Sequence, residues 1–222
     1  MATKAHCAFC FETLTAHLEE RPALSLPEVE ALWSQYESSL STSAEATAPG
    51  PSPTANYPVF ITYNTLTPDG DKHLRGCIGT FRPEPLSTGL STYALTAALE
   101  DTRFAPITAR DLPPLECGVT LLTDFEPAAS ALDWVVGTHG IRIAFEHRGR
   151  RLGATYLPDV AREQGWGKED ALRSLMRKAG WRGPDDEWKA VALRLERYQG
   201  RKVGLAFAEW RAWRAWVDGR IG

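Results

Sequence analysis

The chain has 222 residues, of which 43% are hydrophobic and 24% charged, and a formal net charge of −3. That is the composition of an ordinary globular protein, long enough to bury a sizeable core as one large domain or two small lobes. It excludes a membrane-spanning segment, since no apolar run reaches about 18 residues, and a disulfide framework, since there are four cysteines in a chain of this size. The start, "MATKAHCAFCFETL", has no apolar stretch followed by a cleavage site, so a cytoplasmic or nuclear location with reduced thiols and no membrane partner is expected. Charge is uneven: residues 1–141 hold 7 Lys and Arg against 17 Asp and Glu, and residues 142–222 hold 18 against 11. Two readings stay open, solvated complementary faces or a basic surface for an acidic partner. The interleaving of the basic residues with acids favours the first.

In chain order, Cys7, Phe11, Leu14 and Leu18 fall at helical spacing with Cys10 beside them, predicting an amphipathic first helix. "SLPE" at 25–28 is a capping box that opens a second helix with a stripe of Val29, Leu32, Trp33, Tyr36 and Leu40. Residues 38–56, rich in Ser, Thr, Ala and Pro, read as a flexible surface loop. "PVFITYNTL" and "HLRGCIGTF" flank the turn "TPDGD" and predict a β-hairpin. "TGLSTYALTAALED" predicts a helix ended before Pro106, and "ECGVTLLTDFEP" a third strand. "SALD" at 130–133 reads as another capping box, with a short helix through "WVV" and a stop at Gly137. "HGIRIAFEHRGRRLGATYLP" predicts a second hairpin turning near Arg148-Gly149. "EDALRSLMRKAG" follows as a helix stopped by Gly180, "KAVALRLERY" alternates as a strand, and "FAEWRAWRAWV" closes as a helix. Antiparallel hairpins mixed with helices, without a regular βα repeat, predict an α+β fold.

Within the hairpin, "LRGCIGTF" at 74–81 places two glycines in a strand that each of them weakens. Alternation puts Arg75, Cys77, Gly79 and Phe81 on one face, so a guanidinium near the thiol would favour thiolate and Gly79 would leave room beside Cys77. The alternative is a buried cysteine acting as a small hydrophobe, with glycines fitted to a crowded contact.

At these residues the sequence resembles the AMMECR domain family. "LRGCIGTF" is similar to that family's hallmark and "EDTRFAPI" to its Asp-Pro-Arg-Phe segment, with Thr102 where the family commonly has proline. "GTHGIRI", "TYLPDVAREQGW" and "LMRKAGW" follow in order, while "CFETLTAHL", "LERYQG" and "EWRAWR" resemble eukaryotic members, so the likeness runs through nearly the whole chain. The resemblance implies two lobes, each an antiparallel sheet with helices. The larger, about 1–128 and 186–222, holds both termini; the smaller is about 129–185. The hallmark would face a cleft between them. It implies no established activity, and a functional link to Memo-like and radical-SAM proteins.

Of the candidate side chains, Cys77 is the nucleophile to consider and His139, between two glycines in "GTHGI", the base it would need; the other reading of His139 is a turn residue bonding its own backbone. Arg75, Gly76, Gly79, Arg103 and Glu163 are expected at the cleft because they lie in family-like motifs. "CAFC" at 7–10 puts both thiols on an apolar helix face, and Cys77 and Cys117 stand alone, so no metal or other cofactor is expected. "EWRAWRAW" is read as core packing, with Arg211 or Arg214 free to lie over a ring. The function expected is binding of a peptide or protein segment. A cysteine-dependent enzyme is the rival reading, and RNA binding through the basic second half is the third.

Overall fold

The computed structural model describes residues 1–40, 51–184 and 187–221; residues 41–50 of the expected flexible loop lie outside the described residues. The chain forms α1 (Lys4–Leu18), α2 (Leu26–Leu40), β1 (Asn56–Leu66), β2 (Lys72–Pro85) and α3 (Leu86–Leu95), which runs on into a π-helical turn, Thr96–Glu100. Then come β3 (Leu115–Pro127), β4 (His139–His147), β5 (Arg150–Tyr156), α4 (Pro158–Glu163), α5 (Lys168–Ala179), a 3-10 turn at Glu187–Ala190, β6 (Arg194–Ala206) and α6 (Phe207–Ile221). The strand order is β2-β1-β3-β6-β4-β5, and the pairings β1–β2, β1–β3, β4–β5 and β4–β6 are antiparallel, so the fold is α+β. Two compact units divide the chain, residues 1–121 with 202–222 and residues 122–201, so β3 and β6 each contribute to both.

In the first unit, alternation turns Val59, Ile61 and Tyr63 of β1 and Cys117, Val119 and Leu121 of β3 into one apolar face, buried in a single core with α1, α3 and α6. The helix α1 departs from its amphipathic forecast: every residue from Ala5 to Ala16 is buried. Elements packed around it impose this, and the enclosed His6, Glu12 and Thr13 side chains have partners, while the Thr15 hydroxyl has none among the described residues. Glu12 is fully buried and takes Arg21 at 2.6 Å and Arg214 at 3.3 Å. Glu12 thereby raises the Arg21 pKa above its ordinary value. Cys7 and Cys10 are core residues, and Cys117 does not stand alone but neighbours both; burial drives the Cys7 and Cys117 thiols well above the usual range, which makes them inert.

Trp210, Trp213 and Val217 of α6 are buried as the helical spacing requires, with Phe207 edge-on to Phe11 at 5.4 Å and Trp213 against Trp33 at 5.8 Å. Among the described residues, the cation over a tryptophan of α6 is neither Arg211 nor Arg214. Arg220 lies 4.0 Å from the Trp216 ring, while Arg214 is held by Glu12 and Asp218.

The second unit packs Ile141, Ile143 and Phe145 of β4 against Leu172, Leu175 and Met176 of α5. The hairpin turns where expected, with Arg148 and Gly149 at φ 51° and 71°, the left-handed pair that a two-residue connection requires. Gly180 ends α5 at φ 104°. No helix forms over 131–136. Asp133 instead accepts from the Ala129 N–H and from Arg197, whose guanidinium also takes the Asp133 carbonyl, and these bonds fold the segment into turns. The strand expected from residue 189 begins only at Arg194, because Trp188 is buried and its carbonyl takes the Val191 N–H in a tight turn.

His6 gives this fold an acid sensitivity. Its Nδ1 accepts from the Thr3 N–H at 3.1 Å, so the proton sits on Nε2, which faces Glu30 at 3.2 Å. Burial, then the positive chain terminus, lower its pKa from 6.5 to about 4. The unfolded chain therefore binds the proton first: the contribution is complete above the unfolded value and is lost as pH falls toward the folded one. Denaturant titrations are expected to lose on the order of 3 kcal/mol between pH 7 and pH 4, and His6→Gln to flatten that slope. An unchanged slope in the variant would refute the assignment.

Candidate functional site

The hallmark strand β2 carries a bulge. Tyr63 pairs with Gly76 and Asn64 with Leu74, which leaves Arg75 as the extra residue. Its guanidinium donates to the Pro106 carbonyl at 3.3 Å and lies 3.7 Å from Asp111. Asp111 is itself held below the usual carboxylate range, first by the Thr108 N–H and hydroxyl and then by Arg75. The cation expected beside the thiol thus ties β2 to the loop that follows the π-helical turn.

Both glycines are occupied positions. A Cβ on Gly76 would lie 2.1 Å from the Ala97 carbonyl oxygen, so the π-helical turn rests directly on the strand backbone. A Cβ on Gly79 would lie 2.3 Å from the Val59 carbonyl oxygen and 2.5 Å from the Phe60 ring. The room expected beside Cys77 at Gly79 is therefore filled: Phe60 covers that glycine and meets Phe81 at 5.0 Å, edge to face.

Between the glycines, the Cys77 peptide group is gripped from outside. Its N–H donates to Asp101 Oδ2 at 2.9 Å and its carbonyl accepts from Arg103 at 3.0 Å. Asp101 and Arg103 are bound to one another by two parallel bonds, 2.9 and 2.7 Å, and the Arg103 N–H also reaches Asp101. The Arg103 bonds hold the Asp101 carboxyl well below the ordinary carboxylate range. Since N–H and carbonyl of Cys77 both point away from β1, Thr62 and Cys77 form the closer, non-hydrogen-bonded kind of pair, and the Thr62 hydroxyl meets the Cys77 sulfur at 3.3 Å. Cys77 is half-buried. Across β1, Gly118 stands opposite Thr62, and the Lys202 side chain runs over it, where a Cβ would meet Cε at 2.3 Å. The face that holds the thiol is thus polar, with Thr62, Asn64 and Thr120 along it.

Arg75, Gly76, Cys77, Gly79 and Arg103 come together in the first unit. His139 and Glu163 belong to the second. His139 opens β4, and its Nδ1 accepts from the Val135 N–H at 3.0 Å, the turn-residue role. Glu163 ends α4 and is exposed. Sequence reasoning missed Asp101 and Thr62. An acid two residues before Arg103 was a signal for the first, and the hairpin register would have located the second. Among the described residues, no group of three His, Cys, Asp or Glu side chains is placed to hold a metal ion, and no helix is long and apolar enough to cross a membrane.

The AMMECR1 family model matches residues 7–203. An uncharacterised protein of Arabidopsis thaliana is 36% identical over all of this chain and 93% of its own length, and one of Schizosaccharomyces pombe is 38% identical over 95% and 96%. The crystal structure of an uncharacterised protein from Pyrococcus horikoshii superposes with a TM-score of 0.59 over 79% of this chain and 86% of that one; at 24% identity the likeness is one of fold.

Two substitutions test the grip on β2. Gly76→Ala is expected to lower unfolding free energy by about 1–3 kcal/mol, because the clash is with backbone, and wild-type stability would rule out the close approach. Asp101→Ala strips the Cys77 N–H of its acceptor and is expected to lose about 1–3 kcal/mol in the same denaturation assay; no loss would mean that the carboxylate is dispensable.

Proposed function

The chain belongs to the AMMECR1 family, and from that premise we propose that the surface around Cys77 receives a peptide or protein segment. The observation that carries this reading is the treatment of Cys77 itself. Its peptide group is fixed on the outer edge by Asp101 and Arg103, while among the described residues the hydrogen-bond companion of its sulfur is a hydroxyl, Thr62. A nucleophilic thiol needs a base within hydrogen-bond reach, and a threonine hydroxyl is not one. Recognition needs something else: a rigid floor, aromatic surface and a cation. Phe60 and Phe81 supply a partly exposed aromatic pair, and Arg103, whose side chain is 54% exposed, presents the guanidinium. Aromatic rings and arginine are the groups enriched in protein interfaces. The side chain of Cys77 then serves as a small, polarisable contact.

A library of displayed peptides, selected on the full chain, tests the reading. Selected peptides are expected to bind Cys77→Ser almost as well as the wild type and to lose at least roughly tenfold in affinity to Phe81→Asp, which puts a charge into the apolar contact. Failure to select any peptide would count against the proposal. So would peptides that require the sulfur and leave a covalent adduct on Cys77 in intact-mass spectra, which would establish the enzyme reading instead.

A further inference from the structure

On the second unit, the sheet face opposite the α5 core carries the buried Tyr198 over Gly140 and is exposed at Arg142, Ala144, Glu146, Arg151, Gly153 and Arg194. Register places three rows of side chains across β6, β4 and β5: Glu196, Arg142 and Thr155; Arg194, Ala144 and Gly153; and, on β4 and β5, Glu146 with Arg151. The middle row has almost no side chain over two of its strands, so the backbone there forms the floor of a trough of about 660 Å³. That volume lies within the ~300–1,000 Å³ of small-molecule sites.

The walls are basic. Arg142 is neutralised by an ion pair with Glu196. Arg151 and Arg194 line the trough from opposite strands, are exposed, and have no carboxylate within ion-pair distance among the described residues. Glu146 stands opposite Arg151 in register without pairing with it, whereas Arg142, Arg162, Arg173 and Arg197 of this unit are each matched to an acid. Two unmatched guanidiniums beside a bare, apolar floor call for a ligand with two negative charges and a flat body.

We infer that this trough binds a small organic dianion, its body lying over Ala144 and Gly153 and its acid groups held by Arg151 and Arg194. The ligand chemistry is that of a phosphate ester or a dicarboxylate, either of which satisfies two guanidiniums. The Thr155 hydroxyl is already bonded to the Ile141 carbonyl and Tyr198, so the charge selectivity rests on the two arginines. This site uses none of the residues around Cys77, so it stands or falls independently of the peptide-binding proposal.

Amide chemical-shift titration of the full chain with phenyl phosphate, isophthalate and neutral benzyl alcohol tests it. Saturable shifts are expected at Ala144 and Gly153 with one or both dianions and not with the alcohol, and the dianion that shifts them identifies phosphate or dicarboxylate as the source. Arg151→Ala and Arg194→Ala are each expected to weaken binding roughly tenfold, and Ala144→Phe, which fills the floor from an exposed position, to abolish it. The inference is overturned if neither dianion shifts these amides, if benzyl alcohol binds equally well, or if the arginine variants bind as the wild type does.

Discussion

The contact of the Ala97 carbonyl with the backbone of Gly76 is the constraint on which the arrangement around Cys77 depends. With no side chain at that position, the π-helical turn after α3 settles onto β2 at a separation that any Cβ would forbid. The turn ends at Glu100, and the next residue, Asp101, is thereby delivered to the strand edge. A π-turn inside a helix is rare and tends to mark sites of use. Here its effect is positional: it brings a carboxylate and, two residues later, a guanidinium against one peptide group. Together they offer that group one acceptor and one donor, as a neighbouring strand would. An edge that would otherwise invite another strand is closed at that point. At the opposite edge of the sheet, on β5, Lys178 donates to the Thr155 carbonyl at 3.0 Å, a second side chain that occupies an edge carbonyl.

This changes what the two glycines mean. They serve packing on both faces of β2, one under the Ala97 carbonyl and the other under Phe60, and the thiol between them is held in place by its own peptide group. The arginines of the two motifs act on the backbone as well. Arg75 secures the loop at Pro106, and Arg103 takes the Cys77 carbonyl. A surface so stiffly supported suits recognition, where preorganisation limits the entropy lost on binding.

Much of the fold was legible in the sequence because its signals were local. The turn "TPDGD", the Arg148-Gly149 pair and Gly180 each state a backbone requirement that few other residues meet, and each marked its element. The readings that failed needed tertiary knowledge. The polar residues His6 and Glu12 hid the burial of α1 on all sides from Ala5 to Ala16, since their partners Glu30 and Arg214 come from α2 and α6. The "SALD" segment has the letters of a helix start, but Arg197, 64 residues away, claims Asp133. At the candidate site, alternation put Arg75 on the face of Cys77 without allowing for the bulge, and the acid two residues before Arg103 marked Asp101 as a partner for that arginine without showing that it would also bond a strand 24 residues earlier.

Amide hydrogen exchange at Cys77 tests the edge clamp most directly. Its N–H points away from β1, where an edge-strand amide is ordinarily open to water, while those of Gly76 and Ile78 face the ladder. If Asp101 and Arg103 hold the peptide group as described, Cys77 exchanges as slowly as Gly76 and Ile78. Exchange as fast as that of the exposed turn residue Asp69 would contradict it.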